Sequence, residues 1–75
     1  MKTIAERIRH CREAGGGTQE DLAKQCGVST AVVSQWERGE TIPTLAMQRA
    51  LADELNTRRR FLFAELVEAE DREAA

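Results

Sequence analysis

Gly27, Val28 and Ser29 constrain this chain more than any other residues, because one helix has to end and another begin within them. The segment before them, "TQEDLAKQC", and the segment after, "TAVVSQWE", both carry apolar residues at a helical period. Helices joined across so short a turn have to cross steeply, and the crossing makes local demands. A small residue is needed where they touch, and Ala23 is there. A residue tolerant of positive φ is needed in the turn, and Gly27 sits four positions later. Apolar side chains must lock the pair to the body, and Leu22, Val28, Val33 and Trp36 fit that role.

The rest of the chain reads the same way, as five helices between cap signals. Thr3 opens the first, with Glu6 three residues on, and Ile4, Ile8 and Cys11 share one face. "GGG" at 15–17 stops it. Thr18 caps the second helix, with Leu22, Ala23 and Cys26 inward. Ser29 caps the third, Val28 is placed to staple onto Val33, and Gly39 ends it. "ETIP" is a loop in which Pro43 holds Ile42 extended. Thr44 caps a fourth helix, with Leu45, Met47, Leu51 and Leu55 toward the core. A fifth helix is expected from about 58 to 72, carrying Phe61, Leu62, Phe63, Leu66 and Val67. There is no strand-period run. The expectation is an all-α fold, with a single domain over 1–67 and an acidic, frayed tail over 68–75.

At 75 residues, one small core is all the chain can hold. Only 4% of residues are aromatic, so that core is built from Leu, Ile, Val and Ala. Cys11 and Cys26 match no zinc or redox spacing, and His10 does not complete a site with them, so no metal and no cofactor is expected. The sparse supply of catalytic groups argues against an enzyme. With no signal peptide and no apolar run of membrane length, a cytoplasmic protein is expected, with no membrane partner and no evident small-molecule ligand. The net charge of -2 conceals an asymmetry: residues 1–63 carry ten Lys and Arg against eight Asp and Glu, whereas residues 64–75 set Arg72 against five acids. The body is mildly basic and the acidity sits at the end.

The spacing around Gly27 is the helix-turn-helix pattern, whose second helix enters the DNA major groove. At about 100° per residue, Thr30, Ala31, Ser34, Gln35 and Arg38 cover less than half of the third helix, and Val32, Val33 and Trp36 lie opposite. A merely solvated face would carry Lys and Glu. This one carries small polar residues suited to base edges: Gln pairs with adenine N6 and N7, Ser and Thr donate or accept, and Ala or a Thr methyl meets the thymine methyl.

"RIRHCREA", "TQEDLAKQCGVSTAVVSQWERGETIP" and "TLAMQRALADELN" together resemble the lambda-repressor/Cro-type (XRE-family) helix-turn-helix domain over about residues 4 to 63. The resemblance implies a five-helix domain that binds double-stranded operator DNA as a homodimer on a pseudo-palindrome. By position it implies base reading by Thr30, Ala31, Ser34 and Gln35, and DNA-backbone contact by Gln19, Ser29, Arg38 and Thr41. It also implies an ion pair between Arg12 and Glu37 that braces the recognition helix. Glu40 departs from the family, standing where many relatives carry Lys or Arg. The triple glycine is unusual too, and suggests a slack connection between the first two helices.

"RRRFLFAELVEAE" at 58–70 holds the other expectation. Phe61 and Leu62 are expected to close the core, while Phe63, Leu66 and Val67 are the candidates for a dimer face. Arg58 to Arg60 either touch phosphates or neutralise nearby Glu residues. The function expected is a sequence-specific transcriptional regulator, a phage- or prophage-type repressor. Alternatives are an antitoxin or restriction-control protein of the same fold, or a protein-interaction module that binds no DNA.

Overall fold

Thr3, Thr18, Ser29 and Thr44 each stand just outside a helix in extended backbone, and each accepts a hydrogen bond from the amide three residues on. These four caps set the starts of α1 (Ile4–Ala14), α2 (Gln19–Cys26), α3 (Thr30–Glu37) and α4 (Leu45–Glu54) in a computed structural model that describes residues 3–74. The first two residues of the expected domain and the last of the expected tail lie outside the described residues. Thr18 makes a full capping box with Asp21, whose carboxylate accepts from the Thr18 amide at 3.0 Å. That amide first, and then the Thr18 hydroxyl, holds the Asp21 carboxyl below its ordinary range.

The helix ends repeat one device as well. After α2, the Val28 amide reaches back to the Ala23 carbonyl at 3.0 Å and the Gly27 amide to Lys24 at 3.3 Å. This wrap requires a left-handed residue, and Gly27 supplies it with φ 71° and no Cβ to resist. The same pair of bonds closes α1, α3 and α4, where Gly16, Gly39 and Asn56 take the positive φ. The triple glycine is therefore a built turn and not a slack one. It is tied further by Arg12 Nη1, which donates to the Gly17 carbonyl at 3.0 Å.

Beyond Asn56 the expected single helix is two. Phe63 leaves helical geometry at φ −121° and ψ 40°, which separates the short α5 (Arg59–Leu62) from α6 (Ala64–Ala74). Among the described residues the chain forms six helices and no strand. The break changes which side chains face inward. Leu62 and Phe63 are both fully buried, and Phe61 is turned out at 44% exposure. Val67 is buried too, and Leu66 packs against the core. The expectation that Phe61 closes the core while Phe63 and Val67 face a partner is thus reversed, since Phe63 and Val67 belong to this chain's own interior. Leu45, expected inward, stands 45% exposed, and Gln48 on the same helix is buried in its place.

The core gathers Ile8, Leu22, Ala23, Val33, Trp36, Leu51, Leu62 and Phe63 from the first five helices and the junction before α6. α3 packs on both α1 and α2, so its inward residues Val33 and Trp36 lie at the centre. Complete burial of a side chain the size of Phe63 stabilises the fold by about 1.5–3 kcal/mol. Arg7 is also buried, its Nε donating to the Leu62 carbonyl at 3.0 Å and its guanidinium pairing with Glu65. The acidic tail is not frayed. Residues 68–74 continue α6, and Glu70 and Asp71 pair with Arg59 and Arg60.

Candidate nucleic-acid interface

With Val33 and Trp36 fixed inward, helical geometry turns Thr30, Ala31, Ser34 and Gln35 outward. Thr30 and Ala31 are exposed in the first turn, and Ser34 and Gln35 are half-buried in the second. From Thr30 to Gln35 the face is about 7.5 Å long. That length matches two to three base pairs at a rise of about 3.4 Å. It bears hydroxyls, an amide and a methyl, the groups that match base edges, and Arg38 follows at the end of the helix.

Ser29 spends its hydroxyl on the helix start, accepting from the Val32 amide at 3.3 Å, and remains exposed. Arg38 caps the end of α3 and pairs with Glu40. The departure seen in the sequence at position 40 thus places a carboxylate on the arginine that caps α3. Thr41 is exposed in the loop that follows.

Beneath this face lies a charged network. Glu37 points back into the protein, its side chain 3% exposed, and Arg12 grips it with two prongs. Arg12 Nε donates at 2.7 Å and Nη2 at 2.8 Å, one to each carboxylate oxygen. Gln19 adds a third bond, its Nε2 donating to Glu37 Oε1 at 3.1 Å. Burial pushes the Glu37 carboxyl up, but the bonds from Arg12 and Gln19 outweigh it and hold the group below its ordinary range. The same bond raises the Arg12 guanidinium, with burial working against it. One buried carboxylate thereby ties α1, the start of α2 and the end of α3 together. The family resemblance pointed to Arg12 and Glu37 as a pair but assigned Gln19 only to the DNA backbone. The Glu37 that Gln19 bonds lies eighteen residues away, which no local pattern reveals.

Cys26 is buried and Cys11 half-buried, and burial pushes both thiols up, which makes them poor nucleophiles. A cavity of about 480 Å³ lies between the glycine turn, α2 and the end of α4. Residues of α3 do not line it, so it stands apart from the outward face. Among the described residues, no group of three or more His, Cys, Asp and Glu side chains is arranged to hold a metal ion, and no helix is long and apolar enough to cross a membrane.

Residues 8–62 match the helix-turn-helix family model HTH_3. The chain is 52% identical over 42 residues to the HTH-type transcriptional regulator DicA of Escherichia coli (strain K12), covering 56% of this chain and 31% of DicA. It spans less than a third of that relative's length. It is 42% identical over 50 residues to YazB, an uncharacterised HTH-type transcriptional regulator of Bacillus subtilis (strain 168), covering 67% of this chain and 72% of YazB. Among solved structures, the P22 c2 repressor in complex with a synthetic operator superposes with a TM-score of 0.80 at 37% identity, covering 83% of this chain and 94% of that one. The restriction-modification controller protein C.AhdI of Aeromonas hydrophila superposes with a TM-score of 0.74 at 34% identity, covering 79% and 89%.

Proposed function

We propose, from the premise that this chain belongs to the helix-turn-helix family HTH_3 of DNA-binding transcriptional regulators, that it is a cytoplasmic, sequence-specific repressor that binds operator DNA as a homodimer. One observation carries the reading. The outward side of α3 presents Thr30, Ala31, Ser34 and Gln35, while Val33 and Trp36 anchor the opposite side in the core. In each copy α3 lies in the major groove, with Gln35 pairing to an adenine and Ala31 or the Thr30 methyl against a thymine methyl. Gln19 at the start of α2, Ser29, Arg38 and Thr41 approach the phosphates on either side of that groove. The Arg12–Glu37–Gln19 network holds α3 at a fixed angle to the body, so that a shift of the helix in the groove strains a buried ion pair.

Repression follows sterically, since a dimer seated on two half-sites about one helical turn apart covers DNA that polymerase needs. With Phe63 and Val67 inside the core, the large apolar residues left outside for a partner copy, among those described, are Ile42, Leu45 and Phe61. The likeness to C.AhdI favours a second reading, in which the same dimer controls a restriction-modification gene set. Selection of bound sites from random DNA tests the first part. Inverted repeats with half-sites one turn apart are expected, and a lone half-site refutes the dimer. Replacing Gln35 with Ala should relax the preference at one base position at a cost of about 1–3 kcal/mol. An unchanged preference at every position would remove Gln35 from the reading set.

A further inference from the structure

Arg59 is pinned on one side and engaged on the other. Gln48 is 6% exposed, its Nε2 donates to the Pro43 carbonyl at 2.9 Å, and its Oε1 accepts from Arg59 Nε at 2.7 Å. A buried amide thus fixes the guanidinium beside the loop that leaves the recognition helix. The two terminal nitrogens go to Glu70: Nη1 donates to Oε1 at 3.1 Å and Nη2 to Oε2. This fork-to-fork arrangement is the one an arginine also makes with a phosphate. One position on, Arg60 Nη1 faces Asp71 at 3.4 Å. Glu70 and Asp71 lie on α6, beyond residues 8–62 that match the family model. Val67 is the one α6 residue, among those described, that is buried. The acidic residues therefore lie outside the matched segment, set down on its arginines.

We propose that Arg59 is a binding site for a DNA-backbone phosphate and that Glu70, with Asp71 on Arg60, occupies it in the free protein as a built-in competitor. This rests on the DNA-binding reading above. The Glu70 side chain is about half exposed and leaves by rotation, without unwinding α6. A phosphate that reaches the loop beside Pro43 then meets a guanidinium already oriented by Gln48, with little side-chain freedom left to lose. While Glu70 stays in place, Arg59 adds nothing to the phosphates neutralised. Together with Glu40 on Arg38, this restrains sequence-independent binding, which phosphate neutralisation supplies, and leaves base reading by α3 untouched.

The test compares two double variants of the full chain with equal charge change, Glu70→Gln/Asp71→Asn and Glu68→Gln/Glu73→Gln. Binding to the selected operator and to an unrelated duplex is measured across a salt series, and Trp36 fluorescence verifies that each variant is folded. Releasing the arginines should raise affinity for both duplexes by about fivefold per arginine engaged at 0.15 M salt, and steepen the slope of log affinity on log salt by about 0.9 for each. Glu68→Gln/Glu73→Gln should give much less. Adding Arg59→Gln to the first pair should remove most of the gain. Equal gains from both pairs would assign the effect to net charge and overturn the proposal, as would no gain from either. Wild type that binds the operator while Glu70→Gln/Asp71→Asn gains nothing defeats this inference alone. Wild type with no affinity for any duplex defeats the DNA-binding reading and this site with it.

Discussion

Replacing Arg12 with Met should cost this domain about 3 kcal/mol, and removing Glu37 as well should restore most of it. The magnitude follows from how Glu37 is housed. Its side chain is 3% exposed, and two of its three hydrogen bonds come from Arg12. Without Arg12 the buried carboxylate keeps only Gln19, and breaking a buried pair from one side costs about 3–5 kcal/mol. The lower end applies because Arg12 itself keeps 12% of its side chain in solvent. For a domain of this size the loss lowers Tm by roughly 12–24 °C. Urea denaturation followed through Trp36, the sole tryptophan and a buried one, reads it directly. The Arg12→Met/Glu37→Leu double variant leaves no stranded charge and should fall within about 1 kcal/mol of wild type. Acid gives a second readout. Because the folded-state pKa of Glu37 is depressed, its contribution is present above the unfolded value near ~4.3 and is lost as pH falls through the folded value. In Arg12→Met burial acts on Glu37 with less opposition, so the carboxyl takes up a proton at higher pH and the penalty against wild type narrows on acidification. A single-variant cost below about 0.5 kcal/mol, or a double variant no better than the single, would refute the brace.

Phe63→Ala removes a fully buried ring and should cost about 3–5 kcal/mol, enough to unfold much of the population at 37 °C. A loss of dimer with urea stability unchanged would instead return Phe63 to a partner surface. Gly27→Ala meets no atom within 4 Å, so its cost is the left-handed backbone alone, about 1–2 kcal/mol by urea denaturation. A neutral Gly27→Ala would mean that the turn does not depend on positive φ.

The caps and the turn at Gly27 were legible in the sequence, and the reason is range. A cap is a hydrogen bond across three residues, so Thr3, Thr18, Ser29 and Thr44 announced the first four helix starts without help from the fold. Gly27 announced the turn in the same way, and the period of Val33 and Trp36 fixed which side of α3 is buried. From those facts the all-α class and the outward set Thr30, Ala31, Ser34 and Gln35 followed.

What the sequence could not decide depends on partners far along the chain. Continuous apolar runs such as "FLF" carry no phase, so the inward choice at 61–63 waited on the break at Phe63, where core volume and not helical period decides. Leu45 lost its inward place to Gln48, because a buried amide that joins Pro43 to Arg59 satisfies polar groups a leucine cannot. Gln19 turned toward Glu37, Arg7 sank beneath Leu62 and Glu65, and the acidic end became a helix clasped to Arg59 and Arg60. Each of these is a charge or amide choosing among partners brought together only by folding. Helix starts, caps and the outward face of α3 belong to the sequence; which carboxylate each arginine meets belongs to the tertiary structure.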